Sequence, residues 1–137
     1  MAAVLAPERT LTQIDYVRLT RLLTEQPASL NAGTLDELLA VSELVASPSV
    51  APDVVTMYSQ IVVADETDGA RMKIALCYPD HAEPAAGFIS VLAPLGTALL
   101  GLRVGDVARW AGPGGQLHAT RVVEMLFQPE ATGDYTT

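Results

Sequence analysis

The chain has 137 residues, half of them hydrophobic and 18% charged, which favours one domain with a real core and excludes a disordered chain. Sixteen acids stand against eight bases, a formal charge of −8, so the clustered Lys and Arg that nucleic acid and anionic lipid require are missing. A protein, a cation or a small molecule is left as the natural partner. One cysteine, Cys77, excludes an internal disulfide, and no apolar run approaches the ~18 residues that span a bilayer. Residues 1–7 are apolar but lack the basic start of a signal peptide, so a cytoplasmic protein is expected.

In chain order, the first third predicts two short helices. Thr10 and Gln13 have the form of a capping box, and Tyr16, Leu19, Leu22 and Leu23 make an apolar stripe that ends at Gln26-Pro27. Asn31-Ala32-Gly33 is turn chemistry. Thr34 and Glu37 then offer a second capping box, followed by a stripe of Leu35, Leu38, Leu39 and Val45. Two such helices joined by a turn pair as an antiparallel hairpin, each about 20 Å long at 1.5 Å per residue. Residues 48–52 carry two prolines and read as a linker.

From Asp53 onward the pattern becomes β. Residues 54–57 and 59–63 are strand-like and end at an acidic turn with an Asp68-Gly69 signature. Residues 71–78 alternate, 87–92 form a short strand, and Pro94 opens a short buried helix that stops near Gly101. Strands follow at 107–110 and 117–127, separated by the glycine-rich turn at 112–115. The expected class is therefore α+β: a helical hairpin (1–47), a linker (48–52) and an antiparallel sheet domain with one short helix (53–137).

Motifs for chemistry are scarce. His81 and His118 are the only histidines and neither falls in a metal-ligand spacing, so no metal is expected. Asp65, Glu66 and Asp68 lack the rest of a calcium loop and read as a solvated turn. The 112–115 turn lacks the lysine of a phosphate loop, and Cys77 reads as a buried structural thiol. No catalytic residue and no cofactor are expected.

One stretch is more specific. Ile89-Ser90, Ala93-Pro94-Leu95-Gly96, Ala98-Leu99-Leu100-Gly101 and Gly105-Asp106 resemble the C-terminal signature of the bacterial Gre transcript-cleavage factors. Asp53-Val54-Val55-Thr56-Met57, the uninterrupted run from Leu99 to Asp106, and the tail Gln128-Pro129-Glu130-Ala131-Thr132-Gly133-Asp134-Tyr135 resemble a related family, the regulators of nucleoside diphosphate kinase. The likeness extends over essentially the whole chain.

The resemblance implies an FKBP-like domain joined to a short antiparallel coiled coil. It further implies docking of that domain on RNA polymerase, at the rim of the secondary channel, in competition with Gre factors. The positions carried over for docking are Leu92, Ala93, Pro94, Leu95 and Gly96; Gre factors usually have Asp and Ser where this chain has Leu92 and Ala93, so an exposed apolar patch is expected instead. Gre factors hold a catalytic magnesium with acids at the tip of a long coil. Here the tip, residues 24–33, contains one acid, Glu25, and the coil is short, so no stimulation of RNA cleavage is expected. Proline isomerisation is an enzyme alternative raised by the FKBP-like fold, but the few aromatics of the sheet domain are needed for its core. A second alternative is a protein-binding adaptor that affects nucleoside diphosphate kinase or nucleotide metabolism by another route. Divided at residue 52, the charge is −3 before (six acids, three bases) and −5 after (ten acids, five bases). The acidity is spread, and any effect on RNA synthesis should run through a protein partner and not through direct nucleic-acid binding.

Overall fold

The computed structural model describes residues 8–25 and 32–133. Strand β1 (Thr10–Thr12) leads directly into helix α1 (Gln13–Glu25), and helix α2 (Ala32–Val41) leads into strand β2 (Glu43–Val45). β1 and β2 pair in parallel, Leu11 opposite Leu44, beside the two contacting helices. This pairing moves the helix boundaries from those the sequence predicts. Thr10 is drawn into β1, and Thr12 caps α1 by accepting the Asp15 N–H at 3.0 Å. Thr34 lies inside α2 and not at its N-cap, while Val45 belongs to β2 and not to the helical stripe. The remaining stripe is as read: Leu19, Leu35, Leu38 and Leu39 are buried, with Tyr16, Leu22 and Leu23 packed against them. Residues 26–31, which hold most of the expected tip, lie outside the described residues.

Strands β3 (Gln60–Asp65), β4 (Arg71–Cys77), β5 (Phe88–Ser90), β6 (Val107–Ala111) and β7 (Leu117–Phe127) form one sheet in the order β5-β4-β3-β7-β6. Three of its four pairings are antiparallel, but β5 runs parallel to β4, so the sheet is mixed and not antiparallel throughout. Two 3-10 turns, Pro79–His81 and Pro84–Ala86, carry the chain back before β5 begins. Residues 54–57 make no strand either. Val55 donates to the Leu102 carbonyl at 2.7 Å and accepts from Gly101 at 2.9 Å, so the segment is stitched to the turn after the short helix.

That helix, α3 (Pro94–Leu99), contacts both β5 and β6, the two edges of the sheet. The sheet therefore curls until its first and last strands meet the same helix, which covers edges that would otherwise be open. Inside the curl, Ile61, Val63, Ile74, Leu76, Ala108 and Val122 join Leu99, Leu100 and Leu102 in one hydrophobic cluster. The same cluster contains Leu11, Leu19, Leu35, Leu38 and Leu39 from the N-terminal part. Arg9 adds a polar tie, its guanidinium donating to the carbonyls of Leu100 at 2.8 Å and Thr97 at 3.3 Å at the C-terminal end of α3.

A second polar tie is a buried carboxylate. Asp15, 3% exposed, accepts the Met57 N–H at 3.2 Å and so fastens the first turn of α1 to the 54–57 segment. Burial pushes its carboxyl from the ordinary 3.8 up to about 7, against the opposing pull of the Met57 N–H, and nearby Glu130 pushes the same way. The folded chain thus holds this proton more tightly than the unfolded chain. Its contribution to stability is full below about pH 3.8, declines as pH rises towards 7 and is constant above that. Asp15→Asn keeps a carbonyl acceptor for Met57 without burying a charge. The variant is expected to match the wild type near pH 4 and to exceed it at pH 8 by up to about 4 kcal/mol, measured by urea unfolding across that range.

Candidate functional site

The turn between β5 and α3 is built by Ser90. Its Oγ accepts the Leu92 N–H at 3.1 Å and its carbonyl accepts the Ala93 N–H at 3.0 Å, which points the chain into a helix opened by Pro94. Thr97 then locks α3 back onto β5 by donating its hydroxyl to the Val91 carbonyl at 2.5 Å. Between these contacts Gly96 passes so close to β5 that an added Cβ would lie 2.0 Å from the Ser90 carbonyl oxygen and 3.1 Å from the Val91 Cα. Only glycine fits at this crossing.

Where α3 starts, the two sheet edges leave an apolar groove of about 620 Å³. Ile89 and Ser90 of β5 form one side, Trp110 and Ala111 of β6 the other, and Ala93, Pro94 and Leu95 close it at the helix start. No ionisable side chain lines it. The chemistry of such a surface suits the apolar side chains of a ligand or partner.

The five residues expected to dock separate into two groups. Ala93, Pro94 and Leu95 line the groove. Leu92 is 8% exposed and belongs to the hydrophobic cluster, and Gly96 is buried against β5, so neither contributes to an exposed patch. The reason is the Ser90 turn, which places the next large apolar side chain in the core. Glu25 is exposed at the end of α1, remote in sequence from the groove. Trp110 and Ile89 were not among the expected docking residues. The legible clue to Trp110 was that it is the only tryptophan and precedes a glycine-rich turn.

Other polar features are local. Asp65 accepts the Thr67 N–H at 2.7 Å and the Asp68 N–H at 3.3 Å, which holds its carboxyl below the usual range and makes the acidic segment a tight turn. Tyr58, with a left-handed φ of 66°, bonds through its hydroxyl to His81 and packs on Tyr78. Among the described residues no group of three or more His, Cys, Asp or Glu side chains is arranged to hold a metal ion, and no helix is long and apolar enough to cross a membrane.

The family model described as "Transcription elongation factor, GreA/GreB, C-term" matches residues 50–125. The chain belongs to this GreA/GreB family. The match includes every residue that lines the groove. Over 132 residues the chain is 40% identical to the regulator of nucleoside diphosphate kinase of Escherichia coli K12, covering 94% of this chain and 96% of that protein. Similarity to full-length GreA is more local. The Solidesulfovibrio magneticus protein is 38% identical over 74 residues, 54% of this chain and 45% of its own length. A solved GreA/GreB structure from Nitrosomonas europaea superposes with a TM-score of 0.73 at 35% identity, covering 88% of this chain and 99% of that one. The molecule thus has a GreA-like α+β fold with a curled sheet, and its relatives are named as regulators and elongation factors.

The Gly96 crossing gives a direct test of this architecture. Gly96→Ala forces α3 away from β5 and is expected to cost about 3 kcal/mol or more in urea unfolding, whereas Ala93→Ser, at the half-buried turn, should cost under about 1 kcal/mol.

Proposed function

We propose that this GreA/GreB-type chain binds RNA polymerase at the rim of the secondary channel, competes there with Gre factors, and does not stimulate RNA cleavage. The observation that carries this reading is the groove at the start of α3. It is apolar, lies wholly within the family-matched residues, and is built from the Ala93-Pro94-Leu95 loop that resembles the Gre docking loop. In this reading residues 53–137 are an FKBP-like docking domain, residues 1–47 a short antiparallel coiled coil and residues 48–52 the linker. A regulator with that partner works in the cytoplasm and needs no cofactor of its own.

The absence of cleavage follows from length and charge. α1 has 13 residues and α2 has 10, so they extend about 20 and 15 Å at 1.5 Å per residue. Glu25 is the one acid between Thr24 and Gly33, and a shared magnesium needs a second well-placed carboxylate. A second reading, an adaptor acting on nucleoside diphosphate kinase or its supply, is favoured by the name of the 40% identical relative.

Core RNA polymerase should co-purify with the chain, and added Gre factor should displace it. Pro94→Arg should weaken that binding by about tenfold or more while leaving the urea midpoint unchanged, because the side chain lines the groove at the first turn of α3. Failure of the wild type to bind polymerase would move the adaptor reading to first place. In backtracked polymerase complexes the chain should leave RNA cleavage at its basal rate.

A further inference from the structure

Trp110 is supported from behind. It lines the docking groove and also a smaller cleft of about 420 Å³ that contains Leu117 and His118, so one residue borders both hollows. Trp110 and His118 are direct partners in the β6–β7 register, which puts both side chains on one face of the sheet. Their rings stack with centroids 4.3 Å apart and planes inclined by 21°. The indole N–H is fixed as well, donating at 3.0 Å to the hydroxyl of Thr120, which is buried two residues further along β7.

The seat of the imidazole depends on Gly112. A Cβ there would stand 3.0 Å from His118 Nε2, 3.3 Å from its Cδ2 and 3.6 Å from the Trp110 ring. Any larger residue would crowd the stack. A flat ring against one side of the indole and a hydrogen bond at its edge together restrict the rotation that an exposed tryptophan otherwise keeps. A wall already fixed before binding loses less side-chain entropy when a partner fills the groove.

We propose that His118 is a positioning residue for docking: its imidazole, seated over Gly112, fixes Trp110 as a rigid wall of the groove. The proposal rests on the docking reading above, and it concerns His118 as a stacked ring and not as a base or a ligand. The flatness of the ring is the property that matters. His118→Ala removes the stack, His118→Phe restores a flat ring, and His118→Gln retains polarity without a ring.

Because Trp110 is the only tryptophan, the indole band of the near-UV circular dichroism spectrum and the fluorescence anisotropy of the free full-length chain report its immobilisation. His118→Ala and His118→Gln should lose most of both signals, with far-UV spectrum and urea midpoint near wild type. His118→Phe should restore them. Affinity for core RNA polymerase should fall roughly three- to tenfold in the first two variants, the scale of one aromatic pair, and return in the third. Retention of the indole signal in His118→Ala overturns the proposal, as does failure of His118→Phe to restore it. Loss of the signal with unchanged affinity overturns the link to docking. If the wild type does not bind polymerase, the docking reading fails by itself, and the spectra of the free chain still decide whether His118 fixes Trp110.

Discussion

The close crossing of α3 over β5 is the constraint on which the rest depends. A six-residue helix has little stability of its own and must be held from outside. Here the missing side chain of Gly96 lets it rest directly on the Ser90 carbonyl, and the Thr97 hydroxyl fastens it to Val91. With α3 fixed there, β6 on the far edge of the sheet can reach the same helix, and the five strands curl around a common core. The groove is a consequence. Ile89 and Trp110, on strands at opposite ends of the sheet order, become its two walls.

The N-terminal part is joined to this centre by more than the chain itself. Arg9 caps the C-terminal carbonyls of α3, Thr10 donates to the Gly101 carbonyl at 3.1 Å, and Asp15 accepts from Met57. Gly101, at φ 82°, turns the chain so that its own N–H meets Val55. The helices, the 54–57 segment and α3 therefore share one junction. Part of that junction is apolar and insensitive to solution conditions. The Asp15 contact is not, because its carboxyl changes charge near neutral pH.

Much of this was legible in the sequence wherever a single period governed burial. The stripe of Tyr16, Leu19, Leu22 and Leu23 matches residues that meet the core, whereas the alternation read in β4 and β7 holds only in part: Ile74, Leu76 and Val122 point inward, but Ala75 and Cys77 are buried as well and Met72 and Leu126 are exposed. The Pro94 start of α3 was legible because proline fixes its own backbone angle. What escaped were features set by pairing across long separations. β1 and β2 are only three residues each, too short to show a period, yet their parallel pairing shifted both helix boundaries. The direction of β5 was set by two 3-10 turns whose sense no local pattern reveals. The motif pointed to Ala93, Pro94 and Leu95, which line the groove, whereas Leu92, expected in an exposed patch, lies in the core because the Ser90 turn decides which side chain turns inward. Trp110 was missed because only the curl of the sheet brings β6 beside β5.

In the proposed function the groove between the sheet edges is the surface that meets RNA polymerase. Amide hydrogen exchange of the full-length chain, with and without core polymerase, tests it most directly. Added protection is expected to centre on residues 89–95 and 107–112, with the outer strand face around Arg71 and Lys73 unchanged. Protection centred on that outer face, or none at saturating polymerase, would contradict it.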